Sequence, residues 1–354
     1  MDKEFLDLYS DYLISSFSLV TATGLSSLLE GYLSHDQITS RLRKRPDSSK
    51  ELWQIVKPII REYENEDGVL IFDDTIEHKP HTDENKIVGW YYDHTVNRTV
   101  KGINLLNCLY HTDKITLPVA FNIVEKTQEV IDQKTGKVKR VAEQTKNELM
   151  REMLKTCQQN RLKFRYVLTD IWFSSKENMR AIKEGIKKDF MMALKGNRLA
   201  ALSYADKLAG KFLAVESIEL NPDTCCKVYL EGLDFPVLFT KQVFINKDGS
   251  IGILYLVCSD LTLIAPDIFT IYQKRWKVEE MHKSLKSNLA LAKSPTGIVN
   301  TQSNHIFACY YAFAKLELLR VKTHLNHFAI KSKLYFNAIR ASFAELQRLS
   351  TPST

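Results

Sequence analysis

Residues 68–75 read GVLIFDDT, an apolar run that ends on two adjacent acids, Asp73 and Asp74. A continuous apolar run after the turn signal Asp67-Gly68 predicts a buried β-strand. A carboxylate at the end of such a strand lies at the rim of an α/β sheet, which is where sites are built. We therefore take this stretch as the first strand of a sheet and its acids as candidates for chemistry.

The elements that follow have an order typical of an RNase H-like α/β core. The polar residues 126–148 predict a surface loop that enters a helix. Apolar and alternating runs predict strands at 90–111, 117–126, 164–175 and 189–196, and helical spacing predicts helices at 147–160 and 176–188. The resulting order is three strands, a helix, a strand, a helix and a strand. We therefore predict an α/β fold of this class.

We predict that residues 67–197 form the first part of this core and that the remaining segments flank or interrupt it. Residues 198–262 are a series of short alternating strands with a hairpin turn at Lys247-Asp248-Gly249, and we predict a β insertion there. Residues 263–325 complete the core with a polar-striped helix and a long apolar helix, and 326–354 form a C-terminal helix and tail.

Residues 1–66 show helical periodicity and include a short helix capped by Ser34. A basic cluster follows that helix: Arg41, Arg43, Lys44 and Arg45. Helix, turn and helix with basic residues is typical of a small DNA-binding unit, and the alternative is a helical bundle with a solvated basic face. We predict DNA binding here, with Arg41 and Arg43 as candidate contacts.

A polar stripe lies in IYQKRWKVEEMHKSLKSNLAL, residues 271–291. Tyr272, Arg275, Glu279 and Lys286 have helical offsets that place them on nearly one face of a helix, over about 21 Å. Glu279 could hold a metal, and the two cations could neutralise a DNA strand. The alternative is a solvated amphipathic helix with scattered ion pairs.

Three acids from separated stretches could hold two hard divalent cations: Asp73, Asp170 at the end of YVLTD, and Glu279. Two metals about 3.5–4 Å apart activate an attacking hydroxyl and stabilise the leaving oxygen in phosphodiester transfer. The sequence therefore predicts two Mg²⁺ ions, with Mn²⁺ as a substitute. Lys79, close to the first acid, is a candidate phosphate contact.

Composition limits the possible classes of protein. The 354 residues carry a formal net charge of +7, which fits a nucleic-acid partner without requiring one. The six cysteines have no zinc-ligand spacing, so we expect reduced thiols. The N-terminal residues lack the basic segment followed by an apolar segment that is typical of a signal peptide. The chain also has no run of 18 apolar residues, so we expect a cytoplasmic, nucleoid-associated protein without a membrane span.

The stripe matches, without a gap, the Tyr-(2)-Arg-(3)-Glu-(6)-Lys signature, and Trp276 follows the arginine as it often does there. On these residues the chain resembles bacterial insertion-sequence DDE transposases. In this family the first catalytic Asp is followed two positions later by Thr or Ser, which fits Asp73 and Thr75. The second catalytic Asp of the family ends a later strand, which fits Asp170. Asp74 would point to the other face of the strand, so one of the adjacent acids is not a ligand, and the match favours Asp73.

The resemblance covers about residues 20–325 and implies an RNase H-like catalytic core, a β insertion before the helix that carries Glu279, and an N-terminal DNA-binding region. It also implies an enzyme that binds terminal inverted repeats, cuts them with metal ions and joins the ends to target DNA, as a homodimer on paired ends. Tyr272, Arg275 and Lys286 would then contact DNA. The alternatives are an RNase H-like endonuclease without strand transfer and a non-catalytic DNA-binding repressor.

Overall fold

The chain begins with four helices, and a mixed β-sheet with covering helices follows them. The computed structural model describes residues 1–133, 136–221, 223–246 and 248–350. The helices in these ranges are α1 (Lys3–Ser15), α2 (Ala22–Leu28), α3 (His35–Leu42), α4 (Ser49–Tyr63), α5 (Lys146–Gln159), α6 (Lys176–Arg180), α7 (Tyr204–Leu208), α8 (Ala265–Gln273), α9 (Trp276–Asn288), α10 (Val299–Thr323) and α11 (His327–Ser350). The strands are β1 (Val69–His78), β2 (Gly89–Asp93), β3 (Arg98–His111), β4 (Thr116–Ile123), β5 (Gln128–Ile131), β6 (Val138–Val141), β7 (Tyr166–Thr169), β8 (Asp189–Leu194), β9 (Leu199–Ala201), β10 (Leu213–Ala214), β11 (Cys225–Leu230), β12 (Val237–Ile245) and β13 (Ile251–Cys258).

Five strands form the RNase H-like core, in the order β4-β3-β1-β7-β8. The first three pair antiparallel, whereas β1, β7 and β8 pair in parallel. β2 pairs with the other end of β3. The helices that cover the sheet bury its apolar side chains, so the predicted α/β class is confirmed.

The β insertion continues this sheet. β13 pairs antiparallel with the core strand β8, with Leu256 opposite Ala193, and β12, β11, β9 and β10 follow in that order. Gly249 has a positive φ of 82° in the turn between β12 and β13, as a tight hairpin requires. The first residue of the predicted turn, Lys247, lies outside the described residues.

The N-terminal helices pack on the core. Capping boxes begin α3 (Ser34 with Gln37) and α4 (Ser48 with Glu51), so the sequence itself specifies these two starts. α1, α3 and α4 all contact α10, which is buried along most of its length. The amide of Asn304 on α10 donates to the backbone carbonyl of Leu42 at 2.9 Å, which fixes the end of α3.

Three expectations about individual elements are wrong. β1 does not end at its acids but continues to His78, because its second half still pairs with β3. The predicted loop at 126–148 contains the exposed hairpin β5–β6, which has no buried face and hence no apolar alternation to reveal it. The polar-striped helix is two helices, because the turn at Lys274 and Arg275 is tightened by i→i+3 hydrogen bonds.

The predicted C-terminal helix is present as α11. Its start is anchored by the ammonium of Lys331, which donates to the carbonyls of Ile14 and Ser16, both at 2.6 Å. From Ser332 onwards every described residue of the helix is exposed, and 351–354 lie outside the described residues. Among the helices that the structure describes, none has both the length and the apolar character needed to cross a bilayer.

Candidate active site

Asp73 and Asp170 are brought together by two neighbouring parallel strands. The last registered pair between β1 and β7 is Phe72 with Thr169, and each acid is the next residue in its own strand direction. β7 ends there, and Asp170 begins a 3₁₀ turn in which its Oδ1 accepts a hydrogen bond from the Trp172 N–H at 3.0 Å. Strand register therefore places the two carboxylates side by side at this rim of the sheet.

The adjacent acids of β1 face opposite sides of the sheet, as the alternation of a strand requires. Asp73 faces α9, on the same side as its cross-strand neighbour Asn107. Asp74 instead pairs with Lys146 at the start of α5, at 2.7 Å, and accepts from the amide of Asn104 at 2.5 Å. Asp74 is therefore already neutralised, whereas Asp73 is directed towards the other candidate residues.

Arg275, in the turn before α9, and Glu279, on α9, both lie close to Asp73. Nη1 of Arg275 lies 3.2 Å from Oδ2 of Asp73 and 3.5 Å from Oε1 of Glu279. Burial lowers the pKa of Arg275, but Tyr272 and then the neighbouring carboxylates outweigh it, so the pKa of Arg275 is raised above its usual value. The arginine predicted to contact DNA thus pairs with the two carboxylates in this structure.

The cluster holds more negative charge than its one arginine can offset. Burial, followed by the Asp170 and Glu279 carboxylates, raises the pKa of Asp73 to about 8, and Arg275 only partly opposes this. Burial also raises the pKa of Asp170. Like charges gathered in a poorly solvated place are unfavourable unless a cation or a proton joins them.

The donor atoms present fit a divalent cation. Within the described ranges, Asp73, Glu279 and His282 offer one ligand atom each, and these atoms lie within 4.8 Å of one another. Asp170 is not a member of this group of three, although its charge acts on Asp73. Carboxylate oxygens suit hard cations such as Mg²⁺, and a carboxylate set that also includes imidazole suits Mn²⁺ as well.

Two family models match the chain, each over more than half of its 354 residues. One, described as DDE superfamily endonuclease, matches residues 6–208, and the other, described as transposase DDE domain, matches residues 121–313. The chain belongs to the DDE superfamily. A search of curated proteins returned no match.

The two matches overlap at Asp170, and together they include all three candidate acids. This DDE protein is therefore a nuclease-type enzyme of the transposase class, with DNA as its substrate and a divalent metal as its cofactor. The resemblance drawn from the polar stripe is confirmed at this level.

The sequence analysis missed His282, which lies with Asp73 and Glu279 in the candidate metal group. Its Nε2 accepts a hydrogen bond from the Asn107 amide at 2.9 Å, and the Asn107 carbonyl oxygen in turn accepts from the Tyr310 hydroxyl. Burial, and then the Lys286 and Arg275 charges, lower the pKa of His282 to about 3, so the ring is neutral. The spacing Glu-x-x-His, which puts both side chains on one helical face, could have revealed it.

Two predicted DNA contacts of the DDE enzyme are buried in this structure. Tyr272 lies on the buried face of α8, and its hydroxyl donates to the backbone carbonyl of Thr169 at 3.1 Å. Lys79 is only 7% exposed, and its ammonium donates to the carbonyl of Ser294 at 3.0 Å. These two side chains support the site from within the protein.

The remaining predicted contacts lie in two places. Lys286 is half-buried on α9, and its ammonium donates to the Ile76 carbonyl of β1 at 3.0 Å. Arg41 lies over the Phe5 ring on the N-terminal helices, whereas Arg43 is exposed just after α3. Among the predicted DNA contacts, Arg275 alone forms an ion pair with the candidate acids within the residues that the structure describes.

Proposed function

We propose that this DDE enzyme is a transposase that binds the terminal inverted repeats of its own element, cuts the DNA at those ends and joins them to target DNA. The observation that carries the proposal is the register that sets Asp73 beside Asp170, with Arg275 from the turn before α9 pairing with both Asp73 and Glu279. Such a protein would act on the DNA of the nucleoid, in the cytoplasm.

Asp73, Asp170 and Glu279 would hold two Mg²⁺ ions, for which Mn²⁺ would substitute. When bound, such ions supply an activated hydroxyl and neutralise charge at the phosphodiester. The donor set supports this, because it concentrates carboxylates with a single arginine between them. In cleavage the hydroxyl would come from water, and in joining it would be the freed 3′-hydroxyl.

The other residues of the site would position these groups. Arg275 orients the Asp73 and Glu279 carboxylates by pairing with both. Neutral His282, held by Asn107, lies beside them without adding charge. Tyr272 ties α8 to the end of β7 one residue before Asp170, so it fixes that acid through the backbone. Lys286 would contact a phosphate of the bound strand.

Recognition of the element's ends would fall to the N-terminal helices. The exposed basic residues after α3, including Arg43, and the neighbouring Arg41 support contact with a DNA backbone. Coordinated cutting of two ends would require a homodimer. Large exposed apolar side chains along α11, such as Phe343 at 61% exposure, support association with a second copy.

The test uses a labelled duplex that contains the DNA flanking this gene, incubated with the protein and Mg²⁺ in the presence of a circular target. A transposase gives cuts at a fixed position and labelled DNA joined to the circle. Cuts without joined product would indicate an endonuclease without strand transfer. Binding without any metal-dependent change in the DNA would indicate a repressor and would refute the proposal.

A further inference from the structure

Trp172 is a large exposed side chain directly beside the candidate acids. It lies two residues after Asp170, and its backbone N–H donates to the Asp170 carboxylate at 3.0 Å. The indole is 49% exposed, although tryptophan is usually among the well-buried residues. Its position is therefore fixed relative to Asp170, while much of its ring surface faces solvent.

One ring packs directly on this indole, and a second ring packs on the first. His94, in the turn between β2 and β3, stacks on it with ring centroids 4.7 Å apart and an interplanar angle of 28°. Tyr92 packs edge-on against His94, also at 4.7 Å. Because an aromatic group fixed in advance loses little conformational entropy on binding, this stack is prepared for a planar ligand.

An exposed cation completes the cluster. The exposed Lys195 directly follows β8, the strand beside β7, and its ammonium lies 4.7 Å from the centroid of the Trp172 ring. Lys195 thus comes from the same rim of the sheet as Asp170, since Thr169 of β7 is in register with Met192 of β8. An aromatic face with a cation beside it is the combination that binds single-stranded nucleic acid.

We infer that Trp172, His94 and Lys195 form a stacking site for an unpaired nucleotide of the DNA substrate next to the point of cleavage. Bases inside a duplex hide their faces in the stack, so only an unpaired or terminal base can lie on the indole. Lys195 would leave the ring and pair with the phosphate of that nucleotide. The inference rests on the proposed function, because it names the form of DNA that the same site takes.

The test measures binding rather than cleavage, in a Glu279→Gln background without metal, with a short labelled single strand and a fully paired duplex of the same sequence. Trp172→Ala should weaken binding of the single strand about 5- to 150-fold, the range measured for loss of one stacked base. Binding of the duplex should change less than about twofold, and Trp172→Phe should retain most of the single-strand affinity.

Trp90→Ala is the matched control, because Trp90 is also an exposed indole on this sheet but donates to Glu84 and lies outside the stack. Lys195→Ala should make the salt dependence of single-strand binding shallower by about 0.7 in slope. Unchanged single-strand affinity in Trp172→Ala, or equal losses in Trp172→Ala and Trp90→Ala, would overturn the inference.

The result of this binding test can be judged separately from the result of the cleavage test. If the wild type never cuts DNA but single-strand binding depends on Trp172, the proposed transposition fails and the stacking site stands. If metal-dependent cutting occurs and Trp172→Ala binds single strands normally, the stacking site fails alone.

Discussion

The carboxyl group of Asp73 has a folded-state pKa of about 8, raised by burial and then by the Asp170 and Glu279 carboxylates. The unfolded pKa is near the usual 3.8, so ionisation of this group costs nothing below that pH and destabilises the fold increasingly as the pH rises towards 8. The group therefore serves function at the expense of stability.

We expect Asp73→Asn, without metal, to raise the free energy of unfolding at pH 8 by about 1–4 kcal/mol, with the gain vanishing towards pH 4. Urea unfolding at several pH values measures this. Asp74→Asn is the control, because Asp74 is already paired with Lys146, and its loss should stabilise nothing. A lower stability of Asp73→Asn at pH 8 would refute the electrostatic explanation.

Tyr272 has a structural role that can be separated from DNA contact. Tyr272→Phe removes one hydrogen bond to the Thr169 carbonyl and should lower the free energy of unfolding by about 1 kcal/mol. The salt dependence of DNA binding should stay the same, as measured by titration at several salt concentrations. A changed salt slope with unchanged stability would restore Tyr272 as a DNA contact.

Much of the site could be predicted from the sequence at the level of residues. Spacing alone placed Arg275 and Glu279 on one side of a helix, and both reach Asp73. The burial of Tyr272 and Lys79 could not be predicted, because it depends on partners that are distant in the sequence: the carbonyl of Thr169 for Tyr272 and the carbonyl of Ser294 for Lys79. His282 was missed because its role depends on Asn107, which lies 175 positions away in the sequence.

At the scale of elements, α9 connects the acid cluster with the region where a DNA strand would lie. The side chain of Lys286 reaches from α9 to the Ile76 carbonyl of β1, and its ammonium is half-buried. A single ammonium that contacts one phosphate of duplex DNA contributes about 0.9 to the slope of log affinity against log salt.

Lys286→Ala should therefore weaken DNA binding and make that slope shallower by about one unit. Lys283→Ala is the matched control, since Lys283 is an exposed lysine on the same helix that lies over the Phe328 ring. Binding would be measured by fluorescence anisotropy from low to moderate salt. Equal slopes for Lys286→Ala and the wild type would remove Lys286 from the DNA surface.

Among the elements, the strands and helices with a clear apolar pattern could be predicted, and those without one could not. The apolar runs predicted β1, β7 and β8, the cap at Ser34 predicted the start of α3, and apolar residues at helical spacing predicted α4 and α5. The exposed hairpin β5–β6 left no such pattern. Pairing of β13 with β8 is a long-range choice that no local pattern specifies, so the sequence could not show that the insertion extends the core sheet.

For the whole molecule, α11 is the feature that the rest of the described chain leaves uncovered. Phe336, Ile339, Phe343 and Leu346 recur at helical spacing on one exposed face. A helix with such a face gains little stability alone. We expect this exposed apolar face to pair with the same face of a second copy.

Phe343→Glu should raise the dimer dissociation constant at least about 30-fold, which corresponds to ~2 kcal/mol. Asn337→Glu, an exposed substitution on the same helix, is the control. Sedimentation equilibrium of the full chain measures both. A wild type that stays monomeric throughout the concentration range, or equal effects of the two substitutions, would contradict pairing through α11.

The most direct test of the central claim compares wild type, Glu279→Gln and Glu280→Gln on the labelled flanking duplex, each with Mg²⁺ and with EDTA. Glu280 is the matched control, because it lies next to Glu279 but pairs with Lys277 instead of facing Asp73. We predict fixed-position cuts by wild type and Glu280→Gln with Mg²⁺ only, and DNA binding without cuts by Glu279→Gln. Cutting by Glu279→Gln at the wild-type rate would contradict the assignment of the active site.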